Sequence, residues 1–134
     1  MLRDVLHTPL PVGTAQPLRL HAVPRGRRLA ELEFHLPSHA LEAGALDATL
    51  AALGYGVPGL AFSTLRGYLK GFIDCVFEHA GRYFVADWKS NRLGETAAAY
   101  AHAPLADALA AQGDHLQALL YCVALHRLLR RRLP

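Results

Sequence analysis

The sequence predicts an α+β fold in which helices cover one face of a mostly antiparallel sheet. Strand-like segments come first along the chain, and segments rich in alanine and leucine with helical patterns follow after Asn91. Two of the strands are separated only by residues 78–81, which leaves room for a tight turn and therefore predicts an antiparallel hairpin. A length of 134 residues is about one ordinary domain, so we expect residues 1–134 to form a single domain.

The segment before the hairpin contains one clear strand. Residues 1–28 hold four of the eight prolines, which predicts loops around short extended pieces. Polar and apolar residues alternate from Arg28 to Leu36, as in a half-buried strand, and we expect Pro37 to end this strand. Spaced leucines predict a short helical or turn-rich passage over residues 40–53. The residues that then break this passage are Gly54, Gly56, Pro58 and Gly59.

The hairpin strands and the later helices are predicted from their residue types. Residues Leu65–Phe77 and Arg82–Lys89 are rich in β-branched and aromatic side chains, which are typical of strands. Helical patterns extend from about Pro104 to Ala111 and from Asp114 to Leu133. We expect Asp114 to be the N-cap of the second helix, and the arginines near its C-terminal end suit the helix dipole.

The composition excludes a disordered chain and permits a nucleic-acid partner. Apolar residues make up 52% of the sequence and charged residues 19%, which is enough apolar surface to form a core. The formal net charge of +3 is compatible with a DNA or phosphate partner but does not require one. The 14 basic residues include only two lysines, Lys70 and Lys89, so lysine is a rare choice in this chain.

Apolar runs and cysteines indicate the cellular compartment. No segment near the N-terminus resembles a secretory signal, and the longest apolar run, Leu116–Leu125, is about half as long as a membrane span. Cys75 and Cys122 both lie in apolar runs, which predicts buried thiols in a reducing compartment. We therefore expect a cytoplasmic protein without a membrane partner.

The predicted hairpin places two carboxylates opposite each other. If its loop is centred on the bond between Ala80 and Gly81, Asp74 on one strand faces Asp87 on the other. Their Cβ atoms would lie about 5 Å apart, and like charges at this separation are destabilising unless a proton or a cation lies between them. Because side chains alternate along a strand, Lys89 lies on the same side as Asp87. The residues alone therefore predict a group of two acids and one amine.

This group is suited to metal-assisted cleavage of a phosphodiester bond. Carboxylate oxygens select a hard cation, most simply Mg²⁺, with Mn²⁺ as an alternative. Such a cation lowers the pKa of a bound water, and Lys89 would orient that water or neutralise charge that develops at the phosphate. The spacing alone leaves a second interpretation open, in which the three side chains form an exposed salt bridge of little energetic weight.

Three spaced motifs carry a resemblance to a known family. They are Arg66–Asp74 (RGYLKGFID), Asp87–Asn91 (DWKSN), and Gln117 followed one helical turn later by Tyr121. Together with segments at 29–37 and 120–128, they make the chain resemble the RecB-type C-terminal nuclease domains of bacterial exodeoxyribonuclease V (RecBCD), in the PD-(D/E)XK superfamily. The resemblance implies a restriction-endonuclease-like core with a central hairpin flanked by helices, in a domain that continues beyond both ends of this chain.

The resemblance implies a role for each residue around the D-x-K motif. Asp74 and Asp87 would be the metal-binding acids, and Lys89 would be the catalytic lysine. The backbone carbonyl of Trp88 would be a further metal ligand, and its indole stands where the family usually has a tyrosine.

Two further patterns of the family fall on this chain. The acid of the E-x-x-F pattern corresponds to Glu31, which precedes Phe34, and Glu33 is the less favoured candidate. The Q-x-x-x-Y pattern corresponds to Gln117 and Tyr121, which would reach the active site or the DNA backbone. Without the resemblance, core packing for Tyr121 and solvent exposure for Gln117 would be the simpler interpretation.

Basic residues close to the motifs are candidates for contacts with DNA. Arg66, Lys70 and Arg92 would bind phosphates without reading the base sequence. The chain has no G-x-x-x-x-G-K-[ST] phosphate loop, so we expect no ATP site.

The resemblance implies a Mg²⁺-dependent DNA nuclease, the nuclease part of a RecBCD-type exodeoxyribonuclease V in double-strand break repair and recombination. Its partners would be DNA and RecC-like and RecD-like subunits. The alternative is a catalytically incomplete module that binds DNA or a helicase partner, because the family takes another metal-ligating histidine from an upstream helix and none of the eight histidines lies in that motif. Sister nucleases with an iron–sulfur cluster need four cysteine ligands, and two cysteines are too few.

Overall fold

The computed structural model describes residues 2–13, 17–55, 60 and 62–133, and it confirms the predicted α+β architecture. In chain order its elements are α1 (Leu2–His7), β1 (Arg28–Glu42), α2 (Ala43–Ala52), β2 (Thr64–His79), β3 (Arg82–Ala86), α3 (His102–Ala111) and α4 (Asp114–Arg132). Short 3-10 turns lie at Leu20–Ala22, Arg25–Arg27 and Ala97–Tyr100. The strands form one antiparallel sheet in the order β1-β2-β3.

The chain divides into two compact units. The hairpin unit comprises residues 1–33 and 72–88, and the helical unit comprises residues 34–71 and 89–134. β1 and β2 contribute residues to both units, whereas β3 belongs to the hairpin unit and the last three helices belong to the helical unit. The predicted metal-binding acids therefore belong to the hairpin unit, and the predicted catalytic lysine belongs to the helical unit.

A small apolar core stabilises the hairpin unit. Its buried members are Leu18, Leu20, Val23 and Phe77, and the partly buried side chains packed against them are Leu10, Val12, Cys75, Phe84 and Ala86. The rings of Phe77 and Phe84 stack across the two strands with their centroids 5.3 Å apart. Such a cross-strand aromatic pair stabilises the pairing of β2 with β3.

The hairpin closes through a two-residue turn at the predicted position. Ala80 and Gly81 both have positive φ angles, 51° and 76°, as in a type I′ turn, whose twist matches that of an antiparallel pair. The carboxylate of Glu78 accepts the N–H of Gly81 at 2.8 Å and the guanidinium of Arg27 at 2.9 Å. Glu78 therefore ties the turn to the residues that precede β1.

The helix α4 packs within the helical unit through one face. Tyr121, Ala124 and Leu125 are buried, at spacings of three and four residues that lie on one side of a helix. Gly113 is the N-cap residue, with a φ of 73°, so the prediction that Asp114 caps this helix is wrong. Asp114 is instead the first helical residue, where its negative charge suits the helix dipole.

The strand β1 continues beyond Pro37, so the predicted strand end is wrong. β1 extends to Glu42, and Pro37 is exposed within it. The strand order makes β1 an edge strand, and at an edge a residue that lacks an N–H can be accommodated without loss of a ladder hydrogen bond. The predicted alternation is confirmed from residue 32 onward, since Leu32 and Leu36 are less exposed than their neighbours.

Other boundaries differ from the predictions by a few residues. α1 forms where the prolines predict loops, and β3 ends at Ala86 instead of Lys89. α3 begins at His102, which places Pro104 in the first turn, where a missing N–H costs no helical hydrogen bond. α2 confirms a helix within residues 40–53. The predicted breaks at Gly56, Pro58 and Gly59 lie outside the described residues.

The two cysteines differ in exposure. Cys75 is half-buried in the hairpin unit, whereas Cys122 is exposed on α4, so the prediction of a buried thiol is wrong for Cys122. Cys122 follows the buried Tyr121 and therefore turns toward the outer side of the helix. Within the part of the chain that the structure describes, no helix is long and apolar enough to cross a membrane.

Candidate active site

Asp74 and Asp87 lie at the end of the hairpin that is remote from its turn. The observed register, in which Cys75 lies opposite Ala86, confirms the predicted centre of the loop. The next pair in this register would be Asp74 with Asp87, but β3 ends at Ala86 and the ladder stops one pair short of it. Asp87 is therefore the first residue of the segment that leaves the sheet.

A hydrogen bond joins Asp74 to this departing segment. The N–H of Trp88 donates to Oδ2 of Asp74 at 2.8 Å. This N–H is thereby engaged with a side chain instead of the backbone of β2, which fits the early end of β3. The bond is charge-assisted, so it holds the carboxylate firmly beside the residue that follows Asp87. The Trp88 carbonyl as a metal ligand stays a prediction.

Both acids are partly withdrawn from solvent. Asp74 and Asp87 are half-buried. The Oδ2 atom of Asp87 is buried and accepts no hydrogen bond from the described residues, although the residue as a whole does have an interaction partner. Next to Asp74, burial raises the pKa of the Cys75 thiol, the positive charge of Arg28 opposes this rise, and the negative charge of Asp74 adds to it.

The donor set at this end of the hairpin fits a hard divalent cation. Two carboxylates and a backbone carbonyl are oxygen ligands, and Mg²⁺ is commonly held by one or two carboxylates with water and substrate phosphate in the remaining positions. Within the described ranges no group of three or more histidine, cysteine, aspartate or glutamate side chains could hold a metal ion. Asp74 and Asp87 have side chains of the kind that Mg²⁺ prefers.

Lys89 is held by the first turn of α4 in the helical unit. Its Nζ donates to Oε1 of Gln117 at 2.6 Å and lies 2.8 Å from Oδ1 of Asp114. The side chains of Lys89 and Asp114 are 35% and 14% exposed, so water and salt screen this ion pair less than a pair on the open surface. Lys89 belongs to a segment without helix or strand. The contacts of its ammonium, rather than a regular backbone, therefore determine where the ammonium lies.

Gln117 links the lysine to Tyr121. Its Nε2 donates to the hydroxyl of Tyr121 at 2.7 Å, while its Oε1 accepts from Lys89. The amide orientation is determined by chemistry, because the flipped amide would place its NH₂ group against an ammonium. Tyr121 is buried, and Gln117 is half-buried and bridges two side chains instead of facing solvent alone.

Tyr121 packs against the phenylalanine of the E-x-x-F pattern. The rings of Phe34 and Tyr121 meet edge to face, with centroids 5.8 Å apart and an interplanar angle of 76°. Phe34 in turn lies over Gly71, where a Cβ atom would stand 2.5 Å from Cζ of the ring. A larger residue at position 71 would therefore displace the ring.

Glu31 lies on β1 in the hairpin unit with an unusual backbone conformation. Its φ of 52° is in the left-handed region, which costs a residue other than glycine about 1–2 kcal/mol. Residues of this kind occur at strand bulges and cluster at functional sites. The side chains of Glu31 and Glu33 are both exposed, and the catalytic role of Glu31 stays a prediction.

The predicted DNA contacts Arg66 and Lys70 are both exposed on the part of β2 that belongs to the helical unit. Tyr68, which lies between them in sequence, is 72% exposed. An exposed aromatic ring flanked by cations is suited to a nucleic acid strand, because the ring stacks on bases and the cations bind phosphates.

Asp114 is absent from the site residues predicted from the sequence. Its spacing of three residues from Gln117 is the signal that was available, because side chains at this spacing share one side of a helix. The spacing indicates a site residue only once Lys89 is known to contact this side of α4, and that contact is visible only in the structure.

A protein-family model matches most of the chain. The model of the PD-(D/E)XK nuclease superfamily matches residues 9–134, and the chain belongs to this superfamily.

The curated relatives carry a more particular name. The chain is similar to "RecBCD enzyme subunit RecB" of Escherichia coli (strain K12), with 49% identity over 107 residues, which covers 77% of this chain and 9% of that protein. Proteins of the same name from Mycobacterium tuberculosis (strain ATCC 25618 / H37Rv) and Haemophilus influenzae are 39% and 33% identical, over 91% and 99% of this chain and 13% and 11% of their own lengths. The chain thus spans about a tenth of the length of these relatives.

Proposed function

We propose that this chain supplies the active-site core of a Mg²⁺-dependent DNA nuclease that hydrolyses phosphodiester bonds. The observation that carries the proposal is the hydrogen bond from the N–H of Trp88 to Asp74. Trp88 stands between Asp87 and Lys89 in the chain, and Gln117 and Asp114 hold the Lys89 ammonium. Asp87 and Lys89 are two residues apart, so their Cα atoms lie within about 7 Å of each other in any backbone conformation. The proposal assigns both side chains to the same phosphate.

Asp74 and Asp87 are the residues that would hold the cation, together with the Trp88 carbonyl. When bound, Mg²⁺ or Mn²⁺ supplies a water of lowered pKa and screens the negative charge of the phosphate. The bond from the Trp88 N–H keeps the Asp74 carboxylate in one orientation before any ligand binds.

Lys89 is the residue that acts on the phosphate or on the attacking water. Its ammonium donates hydrogen bonds to the developing negative charge, and its exposure of 35% leaves it accessible to substrate. Gln117 and Tyr121 keep the lysine oriented, while Glu31 acts as an additional acid of the site.

The exposed strand residues Arg66, Tyr68 and Lys70 bind the DNA. The cations contact phosphates, and the tyrosine ring stacks on a base. Binding of this kind depends on salt and not on base sequence, as an enzyme that degrades any DNA requires.

The name of the curated relatives suggests the larger enzyme and the process to which this chain belongs. We propose that residues 1–134 are part of a single nuclease domain of a RecBCD-type exodeoxyribonuclease V, with RecC-like and RecD-like subunits as partners and double-strand break repair and recombination as the process. The support is the identity of up to 49% with proteins named as subunits of the RecBCD enzyme.

Cleavage of labelled linear DNA, single- and double-stranded, tests the nuclease proposal. We expect cleavage with Mg²⁺ that EDTA abolishes, and a loss of about 10²-fold or more in Asp87→Asn and in Lys89→Ala. Asp107→Asn, which changes an exposed acid on α3, and Arg131→Ala, at the exposed end of α4, are the matched controls. Equal cleavage by Asp87→Asn and Asp107→Asn would contradict the proposal.

Binding measured by fluorescence anisotropy separates the nuclease from an incomplete module. A chain that binds single-stranded DNA but shows no cleavage with Mg²⁺ or Mn²⁺ would be a binding module, and the nuclease proposal would be wrong for it. A chain that binds and cleaves, with the cleavage lost in Asp87→Asn and the binding retained, supports the nuclease.

A further inference from the structure

Asp114 contacts the proposed catalytic lysine although none of the motifs includes it. Its Oδ1 lies 2.8 Å from Nζ of Lys89, which is both an ion pair and a hydrogen-bond distance. The side chain of Asp114 is 14% exposed, whereas Glu95 in the surface pair with Arg92 is 80% exposed. The pair of Asp114 with Lys89 is therefore of the partly buried kind, in which charge attraction is less weakened by solvent.

Asp114 and Gln117 form two arms of one clamp. They are three residues apart on α4, so their acceptor oxygens lie on the same side of the helix and reach one ammonium. A lysine side chain is long and flexible, and a single acceptor would leave its ammonium free to pivot. Two acceptors on a rigid helical turn restrict the ammonium to one place.

The position of Asp114 is itself well determined. It is the first residue of α4, directly after Gly113 with its left-handed backbone, and a carboxylate in the first turn is stabilised by the helix dipole. The alternative role for Asp114 is to stabilise the N-terminal end of α4 without any effect on Lys89. The two roles differ in their effect on catalysis, because only the clamp acts through Lys89.

We propose that Asp114 is a positioning residue, which holds the ammonium of Lys89 at the place from which it acts on the scissile phosphate. The inference rests on the proposed nuclease function. Asp114 acts through Lys89 and binds no DNA itself, so its loss lowers kcat while KM stays nearly constant. Gln117 still retains the lysine in such a variant, but the ammonium spends less time in the productive place.

Steady-state cleavage of linear DNA with Mg²⁺ by the 134-residue chain tests this role. We expect Asp114→Asn to lower kcat about 10-fold with KM changed less than about twofold, since small displacements of a catalytic group cost this much or more. Asp114→Glu keeps the charge and is expected to recover most of kcat. Asp107→Asn makes the same charge change at an exposed position on α3 and is expected to behave as wild type. An Asp114→Asn chain with the kcat of Asp107→Asn would overturn the proposal.

A second measurement does not depend on cleavage. The chain has only two lysines, so lysine labelled with ¹³C gives side-chain NMR signals from Lys70 and Lys89 alone, and Lys70→Arg identifies which is which. We expect the Lys89 side chain to show a high order parameter that falls in Asp114→Asn and not in Asp107→Asn. An unchanged order parameter in Asp114→Asn would contradict the clamp. If the wild-type chain cleaves no DNA, the nuclease proposal fails and this comparison alone decides on Asp114.

Discussion

The hairpin unit and the helical unit hold their candidate site residues by different means. In the hairpin unit, Asp74 is placed by the strand register and by the backbone N–H of Trp88. In the helical unit, Lys89 is placed by the side chains of Asp114 and Gln117, and Gln117 is 28 residues away in sequence. Placement by backbone survives the substitution of single neighbours, whereas placement by side chains can be dismantled one residue at a time.

The largest effect is expected in the hairpin unit. Asp74→Asn preserves the shape of the side chain but removes the charge that attracts a divalent cation, so we expect DNA cleavage with Mg²⁺ to fall by about 10²-fold or more. Cleavage rates on linear DNA measure the change, and Asp4→Asn on α1 is the control in the same unit. Full activity in Asp74→Asn would show that cleavage does not depend on the Asp74 carboxylate.

A smaller effect is expected when the side-chain clamp of the helical unit is weakened. Gln117→Leu removes both the acceptor for Lys89 and the donor for Tyr121, so we expect kcat to fall about 10-fold and stability to fall by about 1 kcal/mol. Cleavage kinetics and urea unfolding measure the two quantities. Gln112→Leu is the control, because it removes an exposed amide at the end of α3 that accepts a hydrogen bond from Asn91 and not from Lys89. An equal loss of kcat in both variants would mean that kcat does not depend on the hydrogen bond between Lys89 and Gln117.

The turn of the hairpin allows a test in which two similar substitutions have opposite signs. Ala80 has a φ of 51°, so Ala80→Gly relieves backbone strain and is expected to raise the free energy of unfolding by up to about 1 kcal/mol. Ala45→Gly within α2 is expected to lower it by a similar amount, because glycine weakens a helix. Urea unfolding followed by circular dichroism measures both. A loss of stability in Ala80→Gly would contradict the type I′ turn.

The smallest effect concerns the one cysteine of each unit. Cys122 is exposed, whereas Cys75 is half-buried and burial raises the pKa of its thiol, so at pH 7 to 8 we expect a maleimide or iodoacetamide reagent to modify Cys122 first. The rate at Cys75 should still rise as the pH is raised further, because a thiol of raised pKa forms its reactive thiolate only at higher pH. Cys75→Ser and Cys122→Ser isolate each rate by mass spectrometry. Equal rates at pH 7 to 8 would mean that the hairpin unit shields its thiol no better than α4 does.

The difference between the units also explains which features could be predicted. The hairpin is local, so residue types and a turn centred on Ala80 and Gly81 were sufficient to predict its register. Gln117 and Tyr121 could be paired because one helical turn separates them. Their link to Lys89 is a tertiary contact, and no local pattern specifies which side chains meet across such a distance.

The errors have the same origin. Pro37 lacks an N–H and would interrupt the strand only if a neighbouring strand required a donor at this position, and the sequence does not reveal that β1 lies at the edge of the sheet. β3 ends early because the Trp88 N–H bonds to a carboxylate of the facing strand, which is again a contact that residue types alone do not specify. The roles of the D-x-K residues stay a prediction, and strand alternation no longer supports placing Lys89 on the same side as Asp87, because β3 ends before both residues.

The bare backbone at Gly71 matters for any attempt to transplant this site into another protein. The ring of Phe34 occupies the space that a side chain at Gly71 would fill, the edge of Tyr121 rests on that ring, and Tyr121 orients the amide of Gln117 that holds Lys89. A designer who copied only the acids and the lysine onto a new scaffold would leave out this support. A scaffold that receives this candidate site therefore also needs a glycine at the position of Gly71, because a Cβ atom there would displace the Phe34 ring.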